Sequence, residues 1–144
     1  MRVLLDVNIL VRANERSSGP ARTLLLDLIA TKHIVLTSAD ILVELTRVLR
    51  YPRVQSLFGL SEEQIYQYVL FLKDVCEVVP TDLIRNFPIR DASDTAIVRT
   101  AIAGEADFIC TRDAGFYAAE ITAFCMMMGI IVLDDISLMH RLRP

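Results

Sequence analysis

The sequence predicts an α/β fold built on a mostly parallel central sheet, and three observations carry that prediction. Short runs of consecutive apolar residues, among them Val3-Leu4-Leu5, Ile34-Val35-Leu36 and Phe108-Ile109-Cys110, lack the alternation of a half-exposed strand and fit strands buried on both faces. Segments with helical periodicity separate these runs, which is the pattern of parallel strands joined by helical crossovers. Two of the runs end in an acid, Asp6 and Asp113. In open parallel sheets the carboxyl ends of the strands are where ligands sit.

The elements follow in order. Val3-Leu4-Leu5-Asp6-Val7-Asn8-Ile9-Leu10 reads as a first strand with a polar tip, and Arg12 to Gly19 as a polar loop. Pro20 fits the first turn of a helix to about Thr31, with Leu24, Leu25, Leu28 and Ile29 as its apolar stripe. Ile34 to Leu36 is a second strand, and Thr37-Ser38 cap a helix from about Ala39 to Arg50. Tyr51-Pro52 breaks that helix, and Val54 to Phe58 adds a turn before Gly59. Ser61 with Gln64 forms a capping box for a helix to about Asp74. The interval from Ala39 to Asp74 therefore predicts a helical hairpin above one sheet edge. Glu77 to Pro80 is a third strand and Asp82 to Arg90 a linker. A helix begins at Asp91-Ala92-Ser93-Asp94 and stops at Gly104, and Asp107 to Thr111 is the fourth strand. A helix from about Ala118 to Met128, a strand from Ile130 to Leu133 and a short last helix complete the chain.

Bulk properties limit the function classes. At 144 residues the chain fits one domain, 1–144, large enough for a real core. The longest uncharged stretch, Ile121 to Leu133, falls short of the roughly 18 apolar residues a membrane span needs, and Asp6 interrupts the only apolar run that could serve as a signal peptide. A cytoplasmic location with no membrane partner is expected. Cys76, Cys110 and Cys125 are odd in number with no C-x-x-C pair, so buried reduced thiols are expected, not a disulfide framework or a zinc site. A net charge of -3 argues against wrapping long nucleic acid, yet thirteen of the fifteen basic residues are Arg, suited to bidentate phosphate contacts. The run Met126-Met127-Met128 is expected in the core.

Four acids sit where isolated solvated acids are unusual. Glu44 borders the apolar helical face of Ile41, Leu45 and Val48, and Asp94 has Ile97, Val98 and Ala101 as its i+3, i+4 and i+7 neighbours. Asp6 and Asp113 end buried strands. Taken singly, Asp6 and Asp113 could each be a helix cap, Asp94 could stabilise the helix dipole with Asp91 as the cap, and Glu44 could be a solvated helix residue. Were the four to converge, two carboxylates about 4 Å apart would repel by roughly 4 kcal/mol at an effective dielectric near 20. A hard dication relieves that repulsion, and an all-carboxylate set suits Mg²⁺ or Mn²⁺ over zinc.

On these residues the chain resembles the PIN-domain ribonucleases, specifically the toxin components of type II toxin-antitoxin pairs. The resemblance runs from Val3-Leu4-Leu5-Asp6-Val7-Asn8 through Gly19-Pro20-Ala21-Arg22, Glu44-Leu45 and Arg90-Asp91-Ala92-Ser93-Asp94 to Ala106-Asp107-Phe108-Ile109-Cys110-Thr111-Arg112-Asp113. It implies a PIN-like three-layer fold, a sheet of about five strands with helices on both sides. It also implies that Asp6, Glu44, Asp94 and Asp113 are an acidic quartet binding Mg²⁺ or Mn²⁺ for RNA cleavage, with Asn8 and Thr111 as supporting polar residues. Relatives often carry Gly where this chain has Arg112, and an aspartate-leucine pair where it has Ala114-Gly115-Phe116-Tyr117. Arg112 could contact substrate phosphate or pair with an acid.

The expected function is a metal-dependent endoribonuclease acting on single-stranded RNA. Asp6, Asp94 and Asp113 would ligate metal, and Glu44 would ligate it or orient the attacking water. Arg12, Arg47 and Arg50 are candidates for a phosphate-facing rim. The resemblance leaves room for a cognate antitoxin protein and for a homodimer. The rival reading is a PIN-like domain that cuts nothing and serves as a protein-binding module. An aspartate-nucleophile phosphatase would want an acid where Asn8 stands, and a nucleotide-binding Rossmann domain lacks both G-x-G-x-x-G and a P-loop here.

Overall fold

The structure is a computed structural model that describes residues 1–81 and 92–143, with the backbone alone for residues 92–95. The linker over residues 82–91, including Asp91, lies outside the described residues. Five strands, β1 (Arg2–Leu5), β2 (Ile34–Thr37), β3 (Glu77–Val78), β4 (Phe108–Cys110) and β5 (Ile131–Leu133), form one all-parallel sheet in the order β3-β2-β1-β4-β5. Among the described residues the helices are α1 (Val7–Arg12), α2 (Pro20–Ala30), α3 (Ala39–Leu49), α4 (Pro52–Phe58), α5 (Glu62–Val75), α6 (Ala92–Ala103), α7 (Ala119–Met127) and α8 (Asp135–Leu142), with a 3₁₀ turn over Ala114–Tyr117. The expected α/β architecture is the observed one. None of the described helices is long and apolar enough to cross a membrane.

Consecutive residues of a strand point to opposite faces, and Val3, Leu4 and Leu5 are all fully buried, so both faces of the central strand are covered. Helix α2 packs on α8, and α3 packs on α1 and α6. Burial also keeps the three cysteines as inert thiols: all are free and buried, and desolvation pushes Cys76 up to about 12.

The chain departs from the expected elements in three places. Helix α1 begins directly at Asp6, whose Oδ1 accepts from Val7 N at 2.7 Å, so Val7 to Leu10 are helical and not the far side of a strand tip. Its apolar face buries Ile9, Leu10 and Val11, and the buried Tyr68 hydroxyl of α5 donates to Leu10 O at 2.6 Å. The helix is thereby pinned behind the sheet edge. The Met126-Met127-Met128 run is exposed and not in the core, with Met127 84% accessible, because Cys125 alone of α7 is fully inside. Lastly, the left-handed residue that ends α6 is Glu105 (φ 52), not Gly104.

Gly104 is needed for space. A Cβ there would lie 2.9 Å from Leu36 Cδ1 and 3.1 Å from Val79 Cγ2, in a fully packed part of the core. Leu36 cannot swing into solvent to relieve that clash. Gly104→Ala is therefore expected to destabilise by about 1–3 kcal/mol despite the better helix propensity of Ala. The check is a lower urea midpoint with an unchanged slope.

Candidate active site

The sheet order fixes where a site can form. From β1 the chain winds outward to β2 and β3, then returns to β4 on the other side of β1 and continues to β5. The reversal falls between β1 and β4, and the loops leaving their carboxyl ends diverge there into a crevice. Leu5 pairs with Cys110 across this junction, and Asp6 N donates to Cys110 O at 2.9 Å, so the register sets Asp6 beside Thr111.

Asp6 is 7% accessible and held from three sides. Its Oδ2 accepts from Thr111 Oγ1 at 2.6 Å and from Asn8 Nδ2 at 3.2 Å, while Oδ1 accepts from Val7 N. The Thr111 hydroxyl uses its whole capacity, because it gives its proton to Asp6 and accepts from Asp113 N at 3.0 Å and from Asn8 Nδ2 at 3.3 Å. The Asn8 amide is oriented by its neighbours, since Oδ1 accepts from Arg112 N at 3.2 Å while the NH₂ faces two oxygens. Tyr117 closes the set by donating its hydroxyl to Thr111 O at 2.8 Å.

Burial pushes the Asp6 carboxyl up; the Thr111 and Val7 hydrogen bonds pull it down, and the charge of Asp113 pushes it up again. Asp113 is exposed and caps the 3₁₀ turn, its Oδ1 accepting from Gly115 N at 2.9 Å. Both acids are thus caps and also neighbours in one electrostatic field.

The remaining candidates are placed as follows. Glu44 is half-buried on α3, and its carboxylate is taken by Arg47 one turn on, with Nη2 2.7 Å from Oε1 and 2.5 Å from Oε2. Asp94 lies in the first turn of α6. Arg2 Nε, near the start of β1, donates to Gly104 O, so α6 ends at the amino edge of the sheet and its first turn lies toward the carboxyl edge, where Asp6 and Asp113 are. The Asp94 side chain is outside the described residues. Arg12 is exposed at the end of α1, and Arg50 pairs with the exposed Glu62 of α5 at 2.7 Å. Arg112 turns its side chain away from the crevice, donating from Nε to Asp135 Oδ1 at 2.6 Å. The pairing across β1 and β4 brings Asp6, Asn8, Thr111 and Asp113 together, while Glu44 with Arg47, Arg50 with Glu62 and Arg112 with Asp135 are engaged in ion pairs of their own.

Asp135 and Tyr117 were not foreseen. For Asp135 a signal existed: Ile130 to Leu133 followed by Asp134-Asp135 repeats the pattern of an apolar strand ending in acid. For Tyr117 the local sequence offers none.

The donor set fits a hard dication. Asp6 and Asp113 offer oxygen alone, and the hydrogen bonds on Asp6 Oδ2 orient its carboxylate in the way second partners orient metal ligands. Among the described residues no three His, Cys, Asp or Glu side chains are grouped to hold a metal ion.

A testable consequence follows from the raised Asp6 pKa. An acid that favours its neutral form in the folded state contributes stability present below its unfolded pKa, near 3.9, and lost as pH rises through its folded pKa. In EDTA, Asp6→Asn is expected to melt higher relative to wild type as pH is raised from about 4 to about 7. A melting difference that stays flat across that range would mean that the Thr111, Val7 and Asn8 hydrogen bonds offset burial completely.

None of the curated proteins compared with the chain matches it. The PIN domain family, whose members are generally nucleases that typically use divalent metal ions, matches over residues 2–115, from β1 into the 3₁₀ turn after Asp113. With that match over most of its length and the five-stranded parallel sheet that fits it, the chain belongs to the PIN domain family.

Proposed function

We propose that this chain is a single-domain, Mg²⁺- or Mn²⁺-dependent endoribonuclease for single-stranded RNA, acting as the toxin of a toxin-antitoxin pair. The observation that carries this reading is the buried Asp6 carboxylate, fixed by Thr111 and Asn8 at the β1–β4 junction within the field of Asp113. Asp6, Asp113 and Asp94 would hold the cation, with Glu44 as a further ligand or the group that orients water. The chemistry supplied by a bound Mg²⁺ or Mn²⁺ would be a water of lowered pKa and neutralisation of the charge that develops on phosphate.

The chain's own residues account for the rest. Thr111 and Asn8 hold the Asp6 carboxylate in one orientation, so little reorganisation is left for the reacting complex. Glu44 is held by Arg47, which is largely exposed, and such a pair is weak enough to exchange when substrate arrives. Arg12 is exposed, and Arg47 and Arg50 are joined only to partly or fully exposed acids, so all three are accessible to a phosphate backbone. The acidic net charge and short Arg rim suit a brief grip on a single strand better than a long duplex.

The exposed Met126-Met127-Met128 run beside the edge strand β5 favours a second reading, in which α7 contacts a protein partner, an antitoxin or another copy of the chain. Methionine surfaces adapt to varied partners.

The test is an RNA panel incubated with EDTA-stripped protein, then with Mg²⁺ or Mn²⁺, beside Asp6→Ala prepared identically. Cleavage is expected only with metal and only in wild type, and Asp94→Asn and Asp113→Asn are each expected to abolish it. Thr111→Val, which keeps shape and removes the hydroxyl, is expected to lower activity roughly 10- to 100-fold. Cleavage persisting in Asp6→Ala would place the activity elsewhere, and a wild type that binds metal yet cuts nothing would leave the protein-binding reading.

A further inference from the structure

Arg112 stands at the centre of the acidic crevice in the chain but not in space. It is flanked by Thr111 and Asp113, and its own N–H holds Asn8, yet its guanidinium is joined to Asp135 in the first turn of α8. Asp135 is 1% accessible. A carboxylate that deep needs a compensating cation, and Arg112 Nε at 2.6 Å provides it, with the α8 N-terminus adding its dipole. The groups that raise the Arg112 pKa are Asp135, first through its hydrogen bond and then its charge, followed by Asp134 and Cys110; neither Asp6 nor Asp113 is among them. Asp134 already spends a carboxylate oxygen on Ser137 N at 2.7 Å.

We infer that Asp135 is a positioning residue for the acidic site: by holding the Arg112 guanidinium against α8, it keeps that charge off Asp6 and Asp113 and leaves both carboxylates to a divalent cation. The inference rests on the cation-dependent nuclease reading and extends it to an element outside residues 2–115, where the family match assigns nothing. A lone arginine beside two site acids would act as an internal competitor of the cation. Asp135 removes the competitor at the cost of burying a charge, which explains why an acid occupies a fully enclosed position. The pair also explains why Arg112 cannot be tested singly: removing it leaves Asp135 buried without its partner, a strongly destabilising state.

The experiment measures Mn²⁺ binding to the full chain by calorimetry and by thermal shift, without substrate, for wild type, Asp135→Asn, Asp135→Ala and the Arg112→Ala/Asp135→Ala double variant. Asp6→Asn/Asp94→Asn is the control that should lose the site. Asp135→Ala is expected to weaken Mn²⁺ binding roughly tenfold, Asp135→Asn to fall between it and wild type, and the double variant to return to near wild-type affinity. Where Asp135→Ala melts too low to titrate, Asp135→Asn against Arg112→Ala/Asp135→Asn gives the same comparison. Wild-type affinity in the single variants overturns the inference, and so does a double variant as weak as the single, because Asp135 would then act through the fold alone. A wild type whose Mn²⁺ response survives in Asp6→Asn/Asp94→Asn, or that has none, overturns the cation reading and the inference together.

Discussion

The parallel pairing of β1 with β4 is the constraint on which the rest of the site depends. One register, Leu5 opposite Cys110, sets Asp6 beside Thr111 and brings the loop carrying Arg112 and Asp113 over the start of α1. A slip of one residue would turn every side chain of a strand to the opposite face, and both faces here are buried. The apolar residues that fill the core are thus the same ones that fix the carboxylate. Asp6 is costly to bury, and three hydrogen bonds offset that cost only in part, with no cation among the described side chains paired to it. Such a carboxylate is oriented before any ligand arrives.

Polar groups around Asp6 form a connected set whose members constrain one another. Thr111 is saturated, Asn8 has a defined amide orientation, and Arg112 contributes through its backbone on one side and its side chain on the other. In a low-dielectric interior each bond of such a set is strong, and each unpaired member is expensive. The α8 helix, distant in sequence, becomes part of the site's electrostatics through Asp135. A sequence-local view of the acids would leave that helix out.

The periphery follows different rules. Glu44, Arg47, Arg50 and Glu62 are joined by surface ion pairs, which contribute little to stability and exchange readily. The hydrogen-bonded centre around Asp6 is buried, while these pairs lie at the surface and are adjustable. Beside the edge strand β5, α7 is apolar nearly all round, and Met126, Met127 and the capping Met128 are exposed, so packing against the sheet alone does not explain its composition.

What the sequence by itself determined was whatever depends on local pattern. Buried strands announce themselves as unbroken apolar runs, so the α/β class, the parallel sheet and most helices were legible, as were the caps Ser38 and Ser61. Asp6 and Asp113 stood out because an acid ending such a run is locally anomalous. Helix α1 was not legible, because Val7 to Leu10 continue the apolar run of β1 and periodicity cannot separate a buried strand from a buried helical turn over so few residues. Gly104 read as a stop signal but serves close packing against Leu36 and Val79, contacts made by residues far away in the chain. Likewise only the tertiary structure decided that Arg112 faces Asp135 and not the crevice, and that the methionines are outside. Burial and charge pairing are set by what the other elements bring to the same place, and no local window of sequence contains those partners.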